Sequence, residues 1–227
     1  MFIVSKHISY EALKILKKLD SVLLFETENI TYPAISCHPD IFFCKAEKTI
    51  ITSPNTPEKY LKAIQTVGKN VISGLTAVGK KYPDTARYNA VITSKYLIHK
   101  KQITDTVITN YCTGKKIINI PQGYTRCSLL PLNEKRYITS DEAIFKTLKN
   151  KGLAVLYVNP KNILLPGFTH GFIGGTAGVF QNKVLFNGSL KNHQDGEKIR
   201  KFINNSNMKI IELHNGPLCD IGSILSI

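Results

Sequence analysis

A short apolar run recurs five times along the chain, and four of these runs are followed by a polar turn and a second apolar run. The first runs begin at residues 41, 90, 128, 177 and 223, so successive units lie 49, 38, 49 and 46 residues apart. Two apolar runs across a short polar turn are typical of a β-hairpin. This recurrence predicts five copies of one supersecondary unit.

Each of the first four hairpins is followed by a segment with helical features and then by a third apolar run. We predict helices over 57–67, 141–149 and 194–204, with Ser140 as the cap of the second and Asp141 as a charge in its first turn. The segment 104–111 is short and rich in β-branched residues, which disfavours a helix there. The repeated order predicts ββαβ units.

The fifth hairpin lacks its second half, and the missing elements stand at the other end of the chain. Phe2–Val4 has strand character, residues 9–19 have helical spacing after the cap Ser9, and Val22–Phe25 is a second strand. We therefore expect an α/β fold in which five ββαβ units close into a five-bladed α/β-propeller, as one domain over residues 1–227. The alternative is a two-layer α+β domain of unrelated pieces.

Two segments carry a family resemblance. Residues 215–219 read Asn-Gly-Pro-Leu-Cys, and His170 lies in the glycine-rich stretch 167–175. They resemble the Gly-Gly-Pro-x-Cys segment and the catalytic histidine of the pentein, or guanidino-group-modifying, superfamily, which includes arginine deiminases, dimethylarginine dimethylaminohydrolases and amidinotransferases. The resemblance implies the pentein fold, with Cys219 as nucleophile and His170 as acid and base.

Further positions follow from the same resemblance. The segment 82–91 is similar to the substrate-binding segment of dimethylarginine hydrolases, and it places Asp84 and Asn89 on residues that bind the guanidinium. Asp40 and Asp220 precede the first and fifth hairpins as Asn89 precedes the second. We expect these side chains near one end of the ring, where Asp40 or Asp220 could replace a missing acid, although Asp40 could also be only a turn residue.

The segment 121–127 departs from the family. It reads Pro-Gln-Gly-Tyr-Thr-Arg-Cys where the family has an acidic pattern, so Arg126 is expected at the substrate site. A positive charge there would repel a guanidinium unless the side chain turns away. Either the substrate differs or guanidine chemistry has been lost.

The chemistry expected of the candidate residues is specific. A thiolate of Cys219 would attack the electron-poor guanidinium carbon, and His170 would protonate the leaving nitrogen and then activate water. The residues alone leave other roles open: Cys219 as a small buried apolar side chain, and His170 as a hydrogen-bonded loop residue.

Charge and cysteine content bear on partners and location. The net charge is +14, but the lysines are spread through the chain without interleaved aromatics and arginines, so a solvated surface is favoured over nucleic-acid binding. The five cysteines are scattered, which argues for free thiols in a reducing compartment. Cys37 and Cys44 are too far apart for a CxxC knuckle. We expect no metal and no cofactor, no apolar span for a membrane and, without a signal-peptide pattern, the cytoplasm.

These observations favour a cysteine-dependent hydrolase or amidinotransferase-like enzyme with a small guanidino or amidino substrate. The alternative is a non-catalytic pentein that binds RNA or the ribosome, similar to the ribosome anti-association factor. A third, less favoured hypothesis is a module for a small anionic or neutral ligand, with Arg87 and Arg126 at the pocket mouth. The sequence does not give the oligomeric state.

Overall fold

The computed structural model describes residues 1–227 and contains fifteen strands in five three-stranded sheets. In chain order the strands are β1 (Phe2–Ser5), β2 (Val22–Phe25), β3 (Phe43–Ala46), β4 (Thr49–Thr52), β5 (Asn70–Ser73), β6 (Val91–Ile92), β7 (Tyr96–His99), β8 (Lys116–Asn119), β9 (Leu129–Pro131), β10 (Arg136–Thr139), β11 (Ala154–Tyr157), β12 (Ala177–Phe180), β13 (Lys183–Phe186), β14 (Lys209–Glu212) and β15 (Leu225–Ser226).

Seven α-helices accompany the sheets. They are α1 (Tyr10–Leu19), α2 (Pro39–Phe42), α3 (Glu58–Thr66), α4 (Thr106–Tyr111), α5 (Thr125–Ser128), α6 (Glu142–Asn150) and α7 (Gly196–Asn204). No helix among them has both the length and the apolar character required to cross a bilayer.

All five sheets have one topology, which defines a blade. An inner strand pairs antiparallel with the middle strand, and the middle strand pairs parallel with the outer strand through a helical crossover; in the fourth blade Ala177 pairs with Phe186 and Lys183 with Lys209. A parallel pair requires such a crossover, which explains why every hairpin is followed by a helix. The inner strands of neighbouring blades lie side by side, β3 beside β6 and β12 beside both β9 and β15.

The two chain ends build the fifth blade together. Strand β15 pairs antiparallel with β1, with Phe2 opposite Ser226, and β1 pairs parallel with β2. The backbone N–H of Ile227 also donates to the carbonyl oxygen of Met1 at 3.0 Å. The predicted five-bladed α/β-propeller is therefore confirmed.

The core lies between the middle strands and the crossover helices. Each long helix turns an apolar stripe toward its sheet, as expected for an amphipathic surface helix. The residues buried in these stripes include Leu16 of α1, Ile64 of α3, Ile108 of α4, Ile144 and Leu148 of α6, and Ile199 and Ile203 of α7.

Two local predictions need correction. The segment 104–111 does form a helix, α4, because the side chain of Asp105 accepts a hydrogen bond from the backbone of Val107 and caps it. The cap of α6 is Asp141, whose carboxylate accepts from the backbone of Ile144 at 2.8 Å, and not Ser140, whose hydroxyl accepts from the backbone of Ile173 instead.

The first hairpin strands also start one or two residues later than predicted in four of the five blades. Residues 39–42 and 125–128 form the short helices α2 and α5, and β15 begins at Leu225. Pro39 suits the first turn of a helix because its ring fixes φ near the helical value. These turns change the chain direction directly before the inner strands, at one end of the ring.

Candidate functional site

Four polar residues stand just before inner strands and meet at the centre of the ring. Asn89, Cys127 and Ser223 each lie two residues before an inner strand, and Asp40 lies three residues before β3. All four are buried. Because the blades are related by a pseudo-fivefold axis, equivalent positions of different blades converge there. We call Asp40, Asn89, Cys127 and Ser223 the central cluster.

A hydrogen-bond network joins the central cluster. The thiol of Cys127 donates to Asp40 Oδ2 at 3.1 Å, and the hydroxyl of Ser223 donates to the same oxygen. Asn89 Nδ2 donates to Cys127 Sγ at 3.2 Å and to the backbone oxygen of Asp40 at 2.9 Å. Asn89 Oδ1 accepts from the backbone N–H of Cys127 at 3.0 Å. The network ties four blades together at the axis.

Asp220 and His38 lie beside the central cluster. Asp220 Oδ2 accepts from the backbone of Phe172 at 2.9 Å, and Oδ1 accepts from the backbone of Gly222 at 3.0 Å. His38 Nδ1 lies 3.8 Å from Asp220 Oδ1. A Cβ at Gly175 would stand 1.9 Å from Asp220 Oδ1, so the position of this carboxylate depends on the missing side chain.

Burial controls the protonation of these groups. It raises the pKa of Asp220 to about 6, raises that of Asp40, and raises that of the Cys127 thiol well above its ordinary value. Burial also lowers the pKa of His38 to about 4, so this imidazole is neutral at pH 7. No lysine or arginine forms an ion pair with Asp40 or Asp220. The site therefore holds two buried carboxyl groups with no cation in an ion pair, although the charge of Arg126 opposes the effect of burial on the pKa of Asp220.

A cavity of about 270 Å³ adjoins this polar centre. His38, Cys127 and Asp220 form its polar wall, together with the half-buried His170. The remaining wall is mainly apolar and aromatic, formed by Tyr32, Ile35, Ile41, Tyr124, Leu165, Phe168 and Phe172. The cavity has the size and the mixture of apolar and convergent polar groups of a small-molecule site.

Cys219 lies next to this cavity but lines two others, of about 460 and 340 Å³. Asp220 and His38 border both the 270 and the 460 Å³ cavities. No hydrogen bond joins Cys219 to His170, whose Nδ1 lies 3.0 Å from the backbone oxygen of Gly171. Burial, and then the charge of Asp220, raises the pKa of Cys219. The predicted pair thus lines different cavities and forms no hydrogen bond.

Two predicted binding residues lie elsewhere. Asp84 is half exposed and forms an ion pair of 2.6 Å with Arg87. The guanidinium of Arg126 donates to the backbone oxygens of Gly174 and Ala177, both at 2.9 Å, and lines a cavity of about 200 Å³ further along the inner strands. Arg126 therefore turns away from the cavity over Asp220.

Sequence reasoning missed Cys127 and His38. In the sequence, Cys127 ends the segment 121–127, where the resembled family has an acidic pattern and no cysteine. The repeat itself contains the missing signal, because Cys127 occupies the place before its inner strand that Asn89 and Ser223 occupy before theirs. His38 stands two residues before Asp40, at the start of α2.

Solved structures of three enzymes share this fold. C. jejuni agmatine deiminase matches with a TM-score of 0.56 at 14% identity, over 95% of this chain and 78% of that one. Dimethylarginine dimethylaminohydrolase from Pseudomonas aeruginosa, complexed with citrulline, matches with 0.55 at 10%, over 93% and 90%. An amidinotransferase of the saxitoxin biosynthetic pathway from Microseira wollei matches with 0.53 at 13%, over 89% and 75%.

At these identities the likeness establishes the pentein fold and no more. No curated protein matches the sequence. The family described as DUF6873, of unknown function, matches residues 3–225, which is nearly the whole of the propeller. The chain is therefore a member of the DUF6873 family, built on the pentein fold.

Proposed function

We propose that the chain is a cysteine-dependent enzyme that cleaves a C–N bond of a small guanidino or amidino compound. The observation that carries the proposal is the buried carboxyl group of Asp220 in the wall of the 270 Å³ cavity, with no lysine or arginine in an ion pair with it. Unpaired buried carboxylates are costly, and a bound cation would compensate them.

A guanidinium or amidinium group suits the cavity better than an ammonium ion. It is planar and carries several N–H donors, so it can donate to Asp220 while its face lies against an aromatic ring. Tyr32, Tyr124 and Phe172 supply such rings in the cavity wall. Arg126 does not compete for Asp220, since its guanidinium is bound to backbone oxygens.

Cys219 is the proposed nucleophile; it lines the neighbouring cavity of about 460 Å³, which Asp220 and His38 also border. It is the one cysteine of the five that is not fully buried, and a peptide bond joins it to Asp220. A cation bound at Asp220 would favour its thiolate form, opposing the effect of burial. The thiolate adds to the central carbon, and His170 donates a proton to the leaving nitrogen as the C–N bond breaks. His170 then takes a proton from water, whose oxygen bonds to the carbon, and the C–S bond breaks to regenerate the Cys219 thiolate.

An activity assay tests this proposal. The protein is incubated with arginine, agmatine or methylated arginines, and citrulline, ammonia and urea are measured. Cys219→Ser should abolish turnover, whereas Cys112→Ser, at a buried cysteine of another blade, should retain it. Turnover that survives in Cys219→Ser would exclude it as nucleophile, and loss in Cys127→Ser alone would transfer that role to Cys127. A wild-type protein that neither binds nor turns over any of these compounds contradicts the proposed function.

Binding of a polyanion is the second candidate. The net charge of +14 favours it, and Lys17, Lys18, Lys80 and Lys81 are all exposed. An interaction of this kind weakens steeply with salt because it releases counterions. Titration of labelled RNA at several salt concentrations tests it, and binding that is absent or independent of salt contradicts it.

A further inference from the structure

Three side chains near the axis offer a nitrogen, an oxygen and a sulfur ligand at close range. One ligand atom each of His38, Asp40 and Cys127 lies within 4.8 Å of the other two. His38 and Asp40 stand at the start of α2, and Cys127 lies in α5 of a different blade. The site is therefore assembled only when the propeller has folded.

Two of these side chains have buried atoms without a partner. His38 Nδ1 and Asp40 Oδ1 form no hydrogen bond, although His38 is only 5% exposed and Asp40 is fully buried. Buried polar atoms are nearly always satisfied, because an unsatisfied one costs about 1–3 kcal/mol. Both atoms are acceptors when the imidazole presents a lone pair at Nδ1, so each is available to bind a cation.

We propose that His38, Asp40 and Cys127 bind a divalent ion of the zinc class. Imidazole, carboxylate and thiolate are ligands of Zn²⁺, whereas Mg²⁺ and Ca²⁺ take oxygen ligands almost exclusively. Two ligands become anions in the complex, so their charge cancels that of a divalent ion. This compensation suits a site enclosed by the protein.

The outer contacts of the three ligands support the assignment. Ligating side chains of metal sites are held by further hydrogen bonds from the protein. Here Ser223 donates to Asp40 Oδ2, and Asn89 donates to Cys127 Sγ at 3.2 Å. The ligating atoms proposed for His38 and Asp40, Nδ1 and Oδ1, are the two that no protein group occupies. Protein donors thus hold the carboxylate and the thiol while leaving room for an ion.

Binding of the metal ion would release one proton from the protein. The Cys127 thiol now donates its proton to Asp40, and a metal–thiolate bond requires that proton to leave to solvent. Three protein ligands leave one position of a tetrahedral ion for water or a ligand. His38 and Cys127 border the 270 Å³ cavity, so that position would face the same cavity as Asp220. The metal site does not depend on thiol chemistry at Cys219.

Cobalt binding tests the proposal. The metal-free full-length protein is titrated with Co²⁺, and the visible and near-ultraviolet absorption is recorded before Zn²⁺ is added in competition. We expect one Co²⁺ per chain, with tetrahedral d–d bands and a thiolate-to-cobalt charge-transfer band, and displacement of the cobalt by Zn²⁺. Cys127→Ser should remove the charge-transfer band and weaken zinc binding by more than the 10–100-fold that loss of an outer contact costs. His38→Gln should weaken binding to a similar extent.

Cys219→Ser is the matched control, because it removes the neighbouring thiol and should leave the cobalt spectrum unchanged. The assignment is overturned if wild-type protein binds no stoichiometric cobalt, or binds it without the charge-transfer band. It is also overturned if the band disappears in Cys219→Ser and persists in Cys127→Ser. The wild-type spectrum decides the matter even if a variant fails to fold. Failure of the guanidino assay would leave these results unaffected.

Discussion

The thiol of Cys127 donates a hydrogen bond of 3.1 Å to the carboxylate of Asp40, although 87 positions separate the two residues in the chain. The bond joins the turn before β3 to the turn before β9, in the first and third blades. Equivalent turns of different blades thus meet at the axis, and the chemistry of the site depends on which polar residues occupy them.

Asn89 is the residue that connects these turns. Its side chain bonds to the backbone oxygen of Asp40 and to both the sulfur and the backbone N–H of Cys127. We expect Asn89→Ala to lower the free energy of unfolding by about 2–4 kcal/mol, because it leaves buried polar groups unpaired. Urea denaturation measures the change. The control Asn192→Ala removes one exposed bond and should cost less than about 0.5 kcal/mol; equal losses would contradict the role of Asn89.

Gly175→Ala should disturb the position of Asp220. The new methyl group would stand 1.9 Å from Asp220 Oδ1, and overpacking of this kind costs about 1–3 kcal/mol. Thermal denaturation measures the loss, and adding Asp220→Ala should recover part of it, as a double-mutant cycle would reveal. Gly216→Ala, which meets only the ring of His214 at 3.0 Å, is the control. Strictly additive effects of Gly175→Ala and Asp220→Ala would show that the clash does not occur.

His99 should make stability depend on pH. Its Nε2–H donates to the backbone oxygen of Gly123 at 2.9 Å, and burial lowers its pKa to about 4. Below pH 6.5, the ordinary pKa of histidine, the unfolded chain binds a proton at this residue and the folded chain does not. The free energy of unfolding therefore decreases by about 1.4 kcal/mol for each unit by which the pH is lowered between pH 6.5 and pH 4. Above pH 6.5 the contribution of His99 to the free energy of unfolding no longer depends on pH.

The measurement is urea unfolding at pH 7 and pH 5, in wild type and in His99→Gln. The wild type should lose about 2 kcal/mol more than the variant over this interval. The comparison between the two proteins removes the contributions of His38 and of other groups common to both. An identical pH effect in both proteins would mean that His99 is not held neutral.

Cys219 should react with iodoacetamide before the other four cysteines, because they are buried and it is only half-buried. Its rate at neutral pH should nevertheless be low and should rise with pH, since burial and the charge of Asp220 raise its pKa. Mass spectrometry of labelled peptides over pH 6–10 measures both effects, with Cys219→Ser as control. A fast rate that does not change with pH would show that the thiolate is already formed.

The fold was predictable because its signals are local and repeated. Each hairpin, the cap Ser9 and the complementary chain ends could be found without knowledge of tertiary contacts. The errors occurred where a single side chain decided the outcome: Asp105 caps α4 despite its β-branched residues, and Asp141 takes the place at α6 that was predicted for Ser140.

The site was predictable only in part. Asp40, Asn89 and Asp220 were expected near one end of the ring, and they lie there. The direction of a side chain was not predictable, because it depends on neighbours from other blades. Arg126 turns to backbone oxygens of the fourth blade, and Asp84 binds Arg87 on the surface. Cys127 was not predicted as a site residue because the family has an acidic pattern, and no cysteine, in the corresponding segment.

The guanidinium of Arg126 lines the cavity of about 200 Å³ beside the inner strands. It is bound to the carbonyl oxygen of Gly174, which lies 3.1 Å from the hydroxyl oxygen of Ser223. This cavity and the 270 Å³ cavity beside Asp220 have no lining residue in common. A substitution in the cavity near Lys45 should therefore leave binding in the other cavity unaffected.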